Sequence, residues 1–566
     1  MRERGWTLST LILAFLLGAG VLLPAELHPA GMALQAALSG ILLWLVLRQS
    51  PLSSCAVLRV PLLAGAALLP AILLSTQTHT SEAFVYQLFP AAVAFLAAAW
   101  QAGSRQGRDR LSLVMIALGT TVSLWGIFQT TFSLAWTARY LRSLGQSGLD
   151  PMILRAESGR AFGPFLLPAD LGIFVAMILP LTLLWLRSEP RRGGKIVAWC
   201  VLLIQILGLG ASRSYGGVLS VLAAALLLLP ISRVPGRVRI WLGLLVCSLA
   251  SGGILFLLRG GEGFSPLSLR IENWAVAFKV FRSHPLFGVG PGNFGDAVTR
   301  FLEPWMNETV YAHNSYLQFM AECGLAGLAL VLGGAGWLLC RMGRGLRADD
   351  LGWERLAACL PPAAFLIHNL FDFSAYLPAL LLPFAALSAV AVRAQFPVPR
   401  GAALRRRQAW LQESVTALLL IGAILWGLRE ARTEALLRRA REALQIDHLE
   451  LAMRDLERAS QLNPGHPDPP ALLAEIHLAR VASRPDSRSH GEEWARRSVS
   501  LRPGRAYGHY VLSLYRLAAG DLGESWVDLA RARELYPARE LYRTQEAKLR
   551  NMIAASTRRA GSPDGS

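Results

Sequence analysis

The chain has 566 residues, of which 53% are hydrophobic and 17% charged, and its mean hydropathy is +0.40. That balance excludes an ordinary water-soluble protein as well as a fibrous or disordered one. The formal net charge of +18 would suggest nucleic acid in a soluble chain, but here the arginines sit in short segments between apolar runs and report membrane orientation.

A helix must cover about 30 Å of hydrocarbon at about 1.5 Å per residue. Thirteen apolar stretches meet that length, at about 7–24, 31–48, 56–75, 82–101, 111–131, 167–187, 195–212, 215–231, 239–258, 314–340, 354–371, 373–392 and 411–428. The opening Met1–Trp6 and its apolar run resemble a signal peptide, but no small-x-small cleavage site follows, so a retained first helix is expected. The six cysteines (Cys55, Cys200, Cys247, Cys323, Cys340, Cys359) lie in or beside spans with no CxxC pair, which argues against disulfides and thiolate metal sites.

Positive charge alternates between the connecting segments. Arg2 and Arg4, Arg48 with Arg59, Arg105 to Arg110, Arg187 to Lys195, Arg233 to Arg239, Arg341 to Arg355 and Arg393 to Arg407 read as cytoplasmic. The intervening segments carry little positive charge, and two of them are long, 132–166 and 259–313. An odd number of spans then carries the C-terminal region to the outer face with those loops, provided 411–428 crosses.

From Arg429 the composition turns to Arg, Glu, Ala and Leu at helical spacing. Pro464, Pro503 and Pro537 lie 39 and 34 residues apart, each with a leucine two residues before it, and Gly520-Asp521 occupies a turn position. This is the pattern of tetratricopeptide repeats, with residues 483–493 read as an inserted loop. The expected fold class is therefore all-α: a polytopic helical membrane protein of about 13 spans over 1–428, a tetratricopeptide-like helical domain over 429–550, and a disordered tail over 551–566.

The polar residues of the outer segments offer two kinds of chemistry, cations able to hold a phosphate and a base able to accept a proton. Arg160, Arg213 and Arg270 come from separate segments yet all fall at the outer interface, where a guanidinium can grip phosphate oxygens in pairs. His313 has an ordinary pKa near 6.5 and can serve as a neutral base. Simpler roles stand beside these. An arginine at a span end often only anchors the helix, and His313 could cap the helix it precedes. Arg213 is the exception, because it interrupts an otherwise uncharged stretch where a lipid-facing cation would cost on the order of 3 kcal/mol. His284 before Pro285 reads as a turn-fixing residue rather than a base, and Asp372 with His368 either orients substrate or forms a structural pair.

The Gly-rich run 288–293 is not a nucleotide loop, since no strand precedes it and no Gly-Lys-Ser/Thr follows. A backbone nest for a diphosphate and a plain loop-ordering role both remain open. No metal-ligand cluster is evident at ligand spacing, and no cofactor is expected. Asn307-Glu308-Thr309 fits a glycosylation acceptor, a short match that carries little weight.

Several of these residues stand in an order known from one family. Arg270-x3-Trp274, the run His284 to Gly290, His313-Asn314-x9-Gly324, Ala211-Ser212-Arg213, Gly159 to Phe165 and His368 to Asp372 together resemble the core of the O-antigen ligase and polymerase superfamily, over about 110–392. The resemblance implies a metal-independent, inverting glycosyltransferase in the bacterial cytoplasmic (inner) membrane, N-terminus inside. Its donor would be a polyprenyl-diphosphate-linked glycan and its acceptor a saccharide or lipid-linked hydroxyl on the extracytoplasmic face. His313, Arg270 and Arg213 would then be catalytic, and Arg160, Asn314, His284 and Asp372 would bind substrate. The partners would be these substrates, membrane lipid and an envelope protein held by the repeats, with no nucleic acid. The alternatives are an anion (bicarbonate-type) transporter, an oligosaccharyltransferase acting on protein, and a scaffold whose repeats do the work. Repeated halves are absent from the spans, which opposes transport, and a scaffold leaves Arg213 unexplained.

Overall fold

The computed structural model describes residues 7–24, 29–49, 68–143, 151–232, 235–248 except 239, 242 and 246, 265–348, 352–392, 406–481, 484 and 486–560. Among the described residues the secondary structure is helical, and no strand occurs. The membrane part comprises α1 (Leu8–Leu22), α2 (Pro29–Gln49), α3 (Thr78–Gln101), α4 (Arg105–Phe128), α5 (Leu134–Ser143), α6 (Pro151–Glu157), α7 (Pro168–Ser188), α8 (Arg192–Ser212) and α9 (Tyr215–Leu228). It continues with α10 (Ser265–Ser283), α11 (Ser315–Ala348), α12 (Gly352–His368), α13 (Pro378–Val392) and α14 (Arg406–Gln445). Five helices are long and apolar enough to cross a membrane, and α1, α2, α9 and α13 are shorter apolar helices. This is an all-α helical membrane protein. The expected spans 56–75 and 239–258 fall largely outside the described residues.

Helix α7 is the hub of the bundle. Pro168 starts it, Asp170 caps it by accepting from the Leu167 N–H at 2.9 Å, and its residues from Asp170 to Ile178 are all buried. Small residues let its neighbours approach: a Cβ on Gly172 would lie 2.4 Å from the Ser214 side chain, and one on Gly217 would lie 2.7 Å from the Gly172 backbone. The turn between α8 and α9 is thereby pressed against α7, which fixes where Arg213 sits.

Helix α11 is broken inside its span. Gly324 has φ 65° and ψ −160°, and at that break the loop after α10 docks. Val289 and Gly290 donate to the Ala321 and Glu322 carbonyls at 3.2 and 2.8 Å, and Leu325 donates to Pro285 at 2.9 Å. Backbone groups freed by the break are thus satisfied by the docked loop. Side chains are excluded on both sides, since a Cβ on Gly288 would meet the Glu322 carbonyl carbon at 2.1 Å and one on Gly324 the Leu286 carbonyl carbon at 2.3 Å.

The change of composition at Arg429 does not coincide with a break in the backbone. Helix α14 runs without interruption from Arg406 to Gln445, carrying the apolar run 411–428 straight into the C-terminal region. Next come α15 (Leu449–Leu462), α16 (Asp468–Arg480), α17 (Ser487–Leu501), α18 (Ala506–Ala518), α19 (Leu522–Leu535) and α20 (Glu540–Ala560), each packing on the one before it. Pro464, Pro503 and Pro537 follow the ends of α15, α17 and α19, and Gly520 (φ 81°) turns the chain into α19. Residues 487–493 are the first turns of α17 rather than an inserted loop. Gly491 there lets α17 approach α18 so closely that a Cβ would meet the Tyr515 hydroxyl. Helix α20 reaches Ala560, into the segment expected to be a tail, because Leu549 and Ile553 pack in the apolar cluster with Leu529.

The C-terminal helices rest on the second long loop. Arg502 holds Asp296 through two hydrogen bonds of 2.6 and 2.9 Å, Arg300 pairs with Glu534 at 2.8 Å, Arg539 pairs with Glu308 at 2.9 Å, and Tyr536 bonds Glu308 as well. The C-terminal unit and the 259–313 loop therefore share one side of the membrane. Single cysteines at Ser556 and Trp305, in a chain freed of its native cysteines, should react together with a membrane-impermeant maleimide, both before lysis or both after it; a split result would break this arrangement.

Candidate active site

Among the described residues three non-glycine residues adopt positive φ: Arg213 (48°), His313 (52°) and Asp447 (57°). Such strain costs about 1–2 kcal/mol for an L-residue and persists where the surroundings enforce it. Two of the three are residues singled out on chemical grounds.

Arg213 ends α8 in a left-handed cap, its N–H donating to Gly210 at 3.0 Å, and its side chain is exposed. Arg160 lies against the same turn, where its Nε donates to the Ser212 carbonyl at 3.2 Å, and the Ala161 N–H donates to Ala211 at 2.9 Å. Burial, and then the neighbouring Arg213 charge, hold the Arg160 guanidinium below its ordinary pKa. Two cations kept this close need a reason, and a polyanion between them is the simplest one.

The second cluster forms where α10, α11 and α12 meet. The Trp274 indole donates to the His313 carbonyl at 3.2 Å, so the Arg270-x3-Trp274 spacing puts one residue on the His313 turn while the Arg270 charge acts on His313 itself. The His313 ring packs edge-on to Phe373 at 5.1 Å, and its Nδ1 is buried without a hydrogen-bond partner among the described residues. Burial is the largest influence on this imidazole and holds its pKa below the ordinary value; Asp372 pulls it up and Arg270 pushes it down. Asp372 is itself buried, which raises its carboxyl, but His368, the Phe373 N–H and Arg270 outweigh that and keep it below the ordinary carboxylate value. His368 Nε2 lies 3.3 Å from Asp372, and its Nδ1 lies 3.3 Å from the Ser220 hydroxyl of α9. A Cβ on Gly216 would touch the same ring at 3.3 Å.

Contacts therefore run from the Arg213 turn through Gly216 and Ser220 to His368, Asp372 and His313. Among the described residues none of Arg160, Arg213 and Arg270 has a carboxylate within 4 Å. The Arg160–Arg213 pair lacks a carboxylate partner, and the buried His313 ring feels both Asp372 and Arg270, a combination that suits a phosphate ester beside a proton acceptor.

Two expected residues have other surroundings. The Asn314 Oδ1 accepts from the Tyr316 and Leu317 N–H groups at 3.0 and 3.1 Å, so Asn314 caps α11. His284 is exposed, bonded to Ser283, and lies beyond the far end of α10, about 20 Å along the axis from Arg270.

Sequence reasoning missed Glu322. Its fully buried carboxylate accepts from the Gly292 and Phe294 N–H groups at 2.9 and 3.3 Å, from Gln318 at 3.3 Å and from the Tyr376 hydroxyl at 2.9 Å. Part of the Gly-rich loop thus wraps a carboxylate of the protein itself. Glu322→Ala strands these donors and is expected to destabilise the fold by at least about 3 kcal/mol, with Glu322→Gln losing less, as thermal unfolding in detergent will read.

One His/Glu group, His79, Glu430 and His466, brings three ligand atoms within 4.8 Å of one another at the joint of α3, α14 and the α15–α16 turn. The Asp468 N–H donates to His466 Nδ1 at 3.2 Å, which puts the ring proton on Nε2, facing Glu434 at 3.3 Å and Glu430 at 3.7 Å. That arrangement hydrogen-bonds the joint through a neutral ring and does not suit a cation on Nε2.

The fold is that of a helical membrane protein, with an arginine pair at one turn and a third arginine acting on a buried histidine. The family model described as O-antigen ligase matches residues 198–332, a stretch that holds Arg213, Arg270, His284, His313, Asn314 and Glu322. The match supports a ligase- or polymerase-type membrane glycosyltransferase at the level of the family, and leaves Arg160, Asp372 and the C-terminal helices outside it. No curated protein gives a significant match to the chain.

Proposed function

We propose that the protein transfers a glycan from a polyprenyl-diphosphate carrier to an acceptor hydroxyl at the extracytoplasmic face of the bacterial inner membrane. The observation that carries this reading is the chain of contacts joining the Arg160–Arg213 pair to His313, Asp372 and Arg270. In the proposed mechanism the neutral His313 imidazole accepts the acceptor's proton as its oxygen attacks the anomeric carbon, and the carrier diphosphate leaves into the three guanidinium groups. Attack opposite the leaving group inverts the anomeric centre, and the cations take the place of a metal. Asp372 steadies the imidazolium that forms, with His368 holding the carboxylate.

The C-terminal helices are, on this reading, tetratricopeptide-type repeats placed outside the cell membrane, where they hold an envelope partner or the acceptor. Proteoliposomes containing the protein and undecaprenyl-diphosphate-linked glycan from the host are expected to release free undecaprenyl diphosphate and form a longer or lipid-anchored glycan. Absence of both products with folded protein would defeat the proposal.

A further inference from the structure

A cavity of about 400 Å³ lies between α3, the second long loop, α11 and the C-terminal unit, in the size range of small-ligand sites. It is separate from the Arg160–Arg213 turn but next to His313. Tyr311, which lines it, stacks on Phe373 with ring centroids 4.0 Å apart, and Phe373 in turn touches the His313 ring.

Its lining has a mixed chemistry. Tyr311 and Tyr376 offer aromatic surface, and the half-buried Gln87 carboxamide makes no hydrogen bond among the described residues. Two carboxyl groups, Asp296 and Glu322, stand beside two guanidiniums, Arg502 and Arg505, so the walls present no cluster of one sign. Asp296 and Arg502 are spent on each other, Glu322 is spent on its own donors, and the Arg505 ion pair among the described residues is a long one, 3.5 Å to Asp468. Aromatic faces beside planar polar groups, without a cluster of one sign, match an uncharged saccharide: its C–H face packs on a ring and its hydroxyls bond the amide and guanidinium. A phosphate or a lipid tail would want a different wall.

We infer that this cavity is the acceptor-saccharide subsite, and that the C-terminal unit completes it by supplying Arg502 and Arg505. The inference rests on the transferase reading and extends it: donor diphosphate on the arginine side of His313, acceptor sugar on the Tyr311 side. A C-terminal unit that forms one wall of the site is more than a partner-docking appendage.

The test uses the full chain in lipid nanodiscs, probed with an array of short uncharged and acidic bacterial oligosaccharides in the absence of any donor. The wild type is expected to retain uncharged oligosaccharides. Gln87→Ala and Arg505→Ala should each weaken that binding about tenfold, and Gln87→Trp, which fills the cavity, should abolish it. Melting temperatures identify any variant that fails to fold, and two independent alanine variants keep the test decisive if the tryptophan does. No oligosaccharide bound by the wild type, a preference for acidic ones alone, or undiminished binding in all folded Gln87 and Arg505 variants would overturn the inference. Because binding is read without transfer, failure of the proposed reaction would appear separately, as retained binding with no product from the polyprenyl-linked donor.

Discussion

Replacing His313 by alanine is expected to lower glycan transfer in proteoliposomes by about 10²–10⁴-fold, the usual contribution of a positioned general base, without loss of folded protein. A merely structural histidine would instead lower the melting temperature in step with activity. The pH profile separates the two cases further. Transfer needs the neutral imidazole, and burial holds its pKa below the ordinary 6.5, so kcat/KM should fall only on the acid side of that value. Asp372 favours the protonated ring; Asp372→Asn should therefore move this limb to still lower pH, while also slowing turnover. A limb that stays in place, or moves toward neutrality, would remove Asp372 from its assigned role.

Arg213→Lys should cost about 10²–10³-fold in kcat/KM although the charge is kept. A unit charge 4 Å from a phosphate is worth roughly 4 kcal/mol at an effective dielectric of about 20, and lysine can place a charge but cannot offer two parallel N–H groups. The strained backbone supplies a control. Glycine tolerates the left-handed conformation at this position, so Arg213→Gly should keep the turn and the melting temperature while losing the guanidinium altogether. If Arg213→Lys turns over normally and Arg213→Gly is only mildly impaired, Arg213 is an interfacial anchor.

Much of the membrane part was legible because lipid imposes a length that apolar runs must meet, and most runs coincide with helices. Arg213 was legible for the same reason: a cation in an uncharged stretch requires a polar partner. Glu322 in the run 315–331 carries the same signal, since a lone carboxylate among apolar residues requires buried donors. Asn314 was readable as a cap, since asparagine at the start of an apolar helix commonly bonds the first free N–H groups. What the sequence could not disclose are meetings between distant segments. The fit of Gly288 against Glu322 and of Gly324 against Leu286 depends on backbone approach, which has no local pattern. Nor does a change of solvent along α14 imply a break in the chain: residue type follows the surroundings, while the backbone hydrogen bonds run on regardless.

Helix α14 is about 60 Å long at its 40 residues. It carries the chain as one stiff helix from the apolar run into the C-terminal unit, and the Arg502–Asp296 clasp, between α17 and α18, ties the middle of that unit back to the loop that precedes α11. The result is triangulated, like a braced bracket, and has no slack of the kind a flexible tether provides. A shift of that helix relative to the loop would have to stretch or break the clasp, and because Asp296 lines the cavity beside Tyr311 and Glu322, the cavity wall would move with it.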